Sequence, residues 1–309
     1  MRKNTDYFKT RFIRGLSCMS KINRMSYELT HSRNFMNKLD EVFKWLESKN
    51  LRVHLSRYSR YKSYIDDFYK NGNKNDLHDL EQKFKKLNDS VQECVQIVQV
   101  YDAFKNENSC GFNERLHKII SGVDFYNPEN KSDQARDFLY ELLVASWFKK
   151  WGYDIDFEQI TDVVAKKDGI TVYVECKRIK SINGLEENFR KACKQLSKIN
   201  DPTEHYGLVF IDIYNCVADY IRDYEYSSIV DMKKELNDVL ENNFRKKNAN
   251  LIEKILTKNL DYTLGVAFTT VRCLWLENIT PQFYQDYKVI TSSRITNLNY
   301  EILEKILYS

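Results

Sequence analysis

Asp162 is followed thirteen residues later by Glu175-Cys176-Lys177, with Asp168-Gly169 between them. Two carboxylates and an amine are what a hydrolytic centre built on a hard cation uses, because the cation takes oxygen ligands and the ammonium stabilises or activates the attacking water. The flanking runs, residues 161–166 and 170–179, are rich in β-branched side chains. Asp-Gly between two such runs signals a two-residue hairpin turn. Closing that turn between Lys167 and Ile170 sets Asp162 opposite Glu175. Carboxylates facing each other across a hairpin lie about 5 Å apart at Cβ and repel, so a cation between them makes the arrangement tolerable. Glu175 and Lys177 share one face of the strand, while Val172, Val174 and Cys176 turn into a core.

Glu-x-Lys occurs at Glu47, Glu81, Glu129 and Glu175, and only the last lies in an apolar β run. The elements around it matter more than the triplet. Residues 133–151 read as an amphipathic helix, with Ala135, Phe138, Leu139, Leu142, Ala145 and Phe148 at three- and four-residue steps. Glu141 interrupts its apolar surface and must face a cavity or pair with a cation, since an unpaired buried carboxylate is costly. Residues 153–159 alternate as a strand leading into Asp162. A second helix over 184–199 carries Arg190, Lys191, Lys194 and Lys198, buries Leu185, Phe189, Ala192 and Leu196, and sets Gln195 beside that stripe. Residues 208–214 form a nearly continuous apolar strand, of the kind covered on both faces. Residues 264–276 supply another, after a helical insertion at about 226–259. The fold class is α/β (α+β).

This order and these residues resemble the PD-(D/E)xK nuclease superfamily, the restriction-endonuclease-like fold, over residues 132–214 with 264–276 as a further strand. The resemblance implies a central mixed sheet flanked by helices and phosphodiester hydrolysis with Mg²⁺, for which Mn²⁺ can substitute. Asp162, Glu175 and Lys177 take the motif's two acids and lysine, with the Cys176 backbone carbonyl as a further metal ligand. Glu141 takes the helical glutamate of Holliday-junction-resolvase-like and Mrr-like members, where it contacts the metal. Gln195 takes the glutamine of RecB-like members. Thr161 stands where the motif has proline. The chemistry agrees: an anionic phosphodiester needs positive charge on its oxygens and an activated water. Lys177 either polarises that water or acts as its base. The five histidines are scattered without ligand spacing.

Residues 1–125 differ from 126–309 and are expected as a helical region before the nuclease domain. Leu77, Leu80, Phe84, Leu87, Val91, Cys94, Val98 and Tyr101 form a heptad seam, and Met36, Leu39, Phe43 and Leu46 repeat the step. The seam closes on a neighbouring helix of the same chain or joins a homodimer. Net charge is +4, yet residues 52–64 interleave Arg52, Arg57, Arg60 and Lys62 with Tyr58, Tyr61 and Tyr64. Basic groups reach phosphates and aromatics stack on bases, so these residues, with Arg190 and Lys194, are the expected nucleic-acid contacts. Seven cysteines without a CxxC pair, and no apolar run long enough for a span, point to a reduced cytoplasmic setting away from membranes. The function expected is a DNA endonuclease, with RNA not excluded, in restriction or anti-phage defence. The alternatives are a silent nucleic-acid-binding module, or a nuclease subunit serving an ATPase or helicase partner, since no Walker motif is present.

Overall fold

The computed structural model describes residues 26–28, 32–71, 77–125, 133–159, 161–199, 205–217, 225–276 and 280–308. The Asp-Gly turn forms as the sequence predicts. Strand β3 (Val163–Lys167) pairs antiparallel with β4 (Ile170–Arg178), from Lys167↔Ile170 to Val163↔Val174. Asp168 and Gly169 have φ of 49° and 80°, the two left-handed residues of a type I′ turn, whose twist matches that of the strands. Strand β2 (Asp154–Asp156) lies outside β3, antiparallel to it. On the other side β4 runs parallel to β5 (His205–Asp212), and β5 parallel to β7 (Gly265–Leu276).

Three strands lie outside the sequence expectation. β8 (Thr280–Ile290) pairs antiparallel with the whole of β7, β1 (Ser26–Glu28) adds to β8, and β6 (Glu225–Tyr226) pairs with β7. The result is a mixed eight-stranded sheet, ordered β1-β8-β7-β5-β4-β3-β2 with β6 beside β7. β8 hides its period because Gln285, on the same face as Phe283, Tyr287 and Val289, is buried with them.

Helices cover both faces. One carries α1 (Ser32–Ser48), α2 (Arg57–Asn71), α3 (Leu77–Phe104), α4 (Cys110–Ile120) and α5 (Gln134–Lys150). Their apolar side chains form one continuous core with Val163, Val172, Val174, Cys176 and Phe210 of the sheet. The packing therefore runs across residue 125 without a break. α5 buries Leu139, Leu142, Leu143, Val144, Trp147 and Phe148. It is apolar almost all round because α3 and α4 cover the side turned away from the sheet. The seam of α3 is satisfied within the chain: Leu87, Val91, Cys94 and Val98 join that core. The side chains of Leu77, Leu80 and Phe84 lie outside the described ones.

The second face carries α6 (Leu185–Leu196), short α7 (Tyr214–Val217), α8 (Ile229–Asp238), a π-helical turn (Val239–Arg245) and α9 (Lys246–Lys258) over Val209, Ile211, Val266 and Phe268. The insertion expected at about 226–259 is this helical run. α10 (Asn297–Tyr308) ends the described chain and packs into the first core through Leu303, Ile306 and Leu307. Among the described residues no helix is long and apolar enough to cross a membrane.

Candidate active site

β4 outlasts β3. Its last four residues, 175–178, keep β5 as a neighbour but have no strand partner on the β3 side. Asp162, one residue before β3, fills that notch: its Oδ2 accepts a hydrogen bond from the Cys176 backbone N–H at 2.7 Å. A carboxylate thus continues the ladder where the backbone leaves it. Lys177 Nζ lies 3.0 Å from Glu175 Oε2 and 3.6 Å from Asp162 Oδ2. The two acids and the amine of the motif meet at one point. Cys176 turns its side chain into the core, and its carbonyl leaves the strand on the same side as its N–H, toward Asp162.

Glu141 reaches this group from α5 and is paired with a cation, one of the two alternatives its burial allows. The cation is Arg115 of α4, whose Nε lies 3.3 Å from Glu141 Oε2. Arg115 Nη1 also donates to the backbone oxygens of Gly111 (3.1 Å) and Phe157 (3.0 Å). Sequence inspection misses Arg115 because it sits in an ordinary amphipathic helix, 26 residues before its partner.

Three carboxylates here face two cations, and the balance is visible in their protonation. Burial, reinforced by the Asp162 charge, raises the Glu141 carboxyl to about 8 and the Glu175 carboxyl to about 7. Glu175 is only 1% exposed. Burial alone would lower the Lys177 ammonium, but the charges of Asp162 and Glu175 outweigh it and raise its pKa. Lys177 thus stabilises the ionised form of Glu175, and the three carboxyls outnumber their cations only when all are ionised. Comparison with protein-family models and with curated proteins finds no match. Among the described residues no three His, Cys, Asp or Glu side chains form a ready metal cage. Magnesium does not require one: it keeps several waters and binds through one or two carboxylates together with substrate phosphate. Asp162 and Glu175, both oxygen donors in a cation-deficient notch, fit that demand.

Among the described residues, the other expected site residues make no hydrogen bond or ion pair with this group. Gln195 is exposed in the last turn of α6, ten residues or about 15 Å along the helix from Leu185. Arg190, also on α6, pairs with Glu186 at 2.7 Å, and Lys194 is exposed. Arg52 is exposed, Arg60 pairs with Asp124, and Lys62 pairs with Asp40.

The interleaved 52–64 stretch is corrected at its centre. Arg57 is 0% exposed, and Tyr58 and Tyr61 are fully buried with it. Arg57 pairs with Glu93 of α3 at 3.0 Å, and Glu93 also binds Arg136 of α5. These side chains are interior because the charge they answer lies inside the helical layer, so they cannot touch nucleic acid. The network continues from Arg136 to Asp133 (3.0 Å) and reaches Arg178, the residue after Lys177, which binds Asp137 (3.3 Å) and Asp212 (3.2 Å).

Proposed function

We propose that this chain is a Mg²⁺-dependent nuclease of PD-(D/E)xK type that hydrolyses phosphodiester bonds in DNA, as an endonuclease. One observation carries the proposal: among the described residues Asp162 and Glu175 converge on Lys177, and Glu141, paired with Arg115, lies near enough to feel the Asp162 charge. The antiparallel β2-β3-β4 unit, joined through α6 to a parallel β5, is the framework that the motif calls for.

Asp162 and Glu175 would hold the metal, with the Cys176 carbonyl beside them and Glu141 as a further acid nearby. A Mg²⁺ held there would supply Lewis acidity toward a phosphate oxygen and would lower the pKa of a water. Lys177 remains an ammonium beside two carboxylates, so its role is to donate hydrogen bonds to the attacking water and to the phosphoryl oxygens on which negative charge develops. Arg115 would hold Glu141 through their ion pair.

The test is incubation of the full chain with plasmid and Mg²⁺ or Mn²⁺. Cleavage that disappears in Asp162→Ala and Lys177→Ala supports the proposal, and full activity in Lys177→Ala removes it. The Lys177 ammonium between the acids favours a second reading: a fold that binds nucleic acid without cutting until a partner opens the ion pair. Such a protein stays inactive with metal and DNA alone.

A further inference from the structure

We propose that Arg115 binds a phosphate of the nucleic-acid backbone at this site; the identity of the anion rests on the nuclease assignment above. A guanidinium carries five N–H donors in a rigid plane. Nε is committed to Glu141, and Nη1 to the backbone oxygens of Gly111 and Phe157. Nη2 meets no acceptor among the described residues, and it is not among the buried side-chain atoms that lack a partner. It therefore reaches solvent from a side chain that is only 14% exposed. Two donors of a permanently charged fork are left without a protein acceptor among the described residues, beside Glu141.

A counterion for Glu141 would need charge alone. Tethering the same guanidinium to two backbone oxygens, with its plane over the Phe157 ring (5.8 Å), fixes its orientation as well. Orientation serves a ligand with geometry, and phosphate is the anion that arginine forks match. One turn further along α4, exposed Lys118 stands 4.2 Å over the Phe138 ring and extends the positive edge. α4 thereby brings the helical layer into substrate binding through residues other than the 52–64 stretch.

The experiment measures binding of a fluorescent DNA duplex by the full chain in EDTA across a salt series, with wild type, Arg115→Gln and Arg115→Lys. Arg115→Gln is expected to weaken binding about tenfold and to lower the slope of log K against log salt by about one. Arg115→Lys should restore the slope but only part of the affinity. With Mg²⁺, Arg115→Gln should raise KM and, because Glu141 loses its partner, lower kcat as well. Unchanged slope and affinity in Arg115→Gln overturn the proposal, and so does a loss of thermal stability with the slope intact, which marks a purely structural arginine. Binding that depends on Arg115 without any cleavage removes the nuclease assignment and keeps this one. Cleavage with affinity indifferent to Arg115 does the reverse.

Discussion

Glu175 shows how far one residue can be held from its ordinary chemistry. Its carboxyl rises from 4.5 to about 7, through burial first and the Asp162 charge second, and Glu141 rises from 4.5 to about 8. A carboxyl whose folded pKa exceeds its unfolded value binds more protons when folded, so stability falls as pH climbs. Without divalent cation, the fold should lose stability between about pH 4.5 and 8. Melting in EDTA at pH 5 and pH 8 reads the effect, and Glu175→Gln should flatten the difference. Added Mg²⁺ should raise the pH 8 melting temperature of wild type more than that of the variant. An equal pH response in both proteins would show that the site carries no excess charge. Lys177→Met makes the complementary prediction: it leaves two acids without their ammonium, so cleavage is lost and the protein becomes more dependent on Mg²⁺ in melting.

At the scale of elements, legibility followed the range of the interaction that decides each one. The β3–β4 hairpin was readable because two adjacent residues, Asp168 and Gly169, choose its turn and so its register. The pairing of Glu141 was readable as a need, but its partner was not, since only tertiary packing brings α4 against α5. Arg57 failed for the same reason: basic-aromatic spacing looks alike whether it faces phosphate or Glu93. The docking of α4 rests on a glycine. A Cβ on Gly111 would stand 2.1 Å from the Phe157 carbonyl oxygen, so backbone must move to admit it. Gly111→Ala should destabilise by roughly 2 kcal/mol and displace Arg115 from Glu141. Its salt slope in DNA binding should then match that of Arg115→Gln, and a wild-type slope would show that α4 docks without this close approach.

For the whole molecule, the question is whether the helical layer can leave the sheet. Ion pairs run from Arg57 through Glu93, Arg136 and Asp133, and Arg178 beside Lys177 lies 3.8 Å from Asp133. Arg57, Glu93, Asp133 and Arg136 are all buried. Removing one member of a buried network strands the others, at about 3–5 kcal/mol, so Glu93→Gln, which leaves Arg57 and Arg136 without their shared acid, should be among the most damaging single changes. Because the apolar core is also continuous across residue 125, that damage should reach the sheet. Hydrogen exchange should show faster opening in β4 and β5 together with α2 and α3, within a single unfolding transition. The same logic bears on a fragment of residues 126–309: without α3 and α4, the outer side of α5 is bare, Glu141 loses Arg115, and Arg136 loses Glu93. Such a fragment should aggregate or remain molten. A soluble fragment with native dispersion and a two-state melt would mean that the sheet and its acid cluster stand without the helical layer.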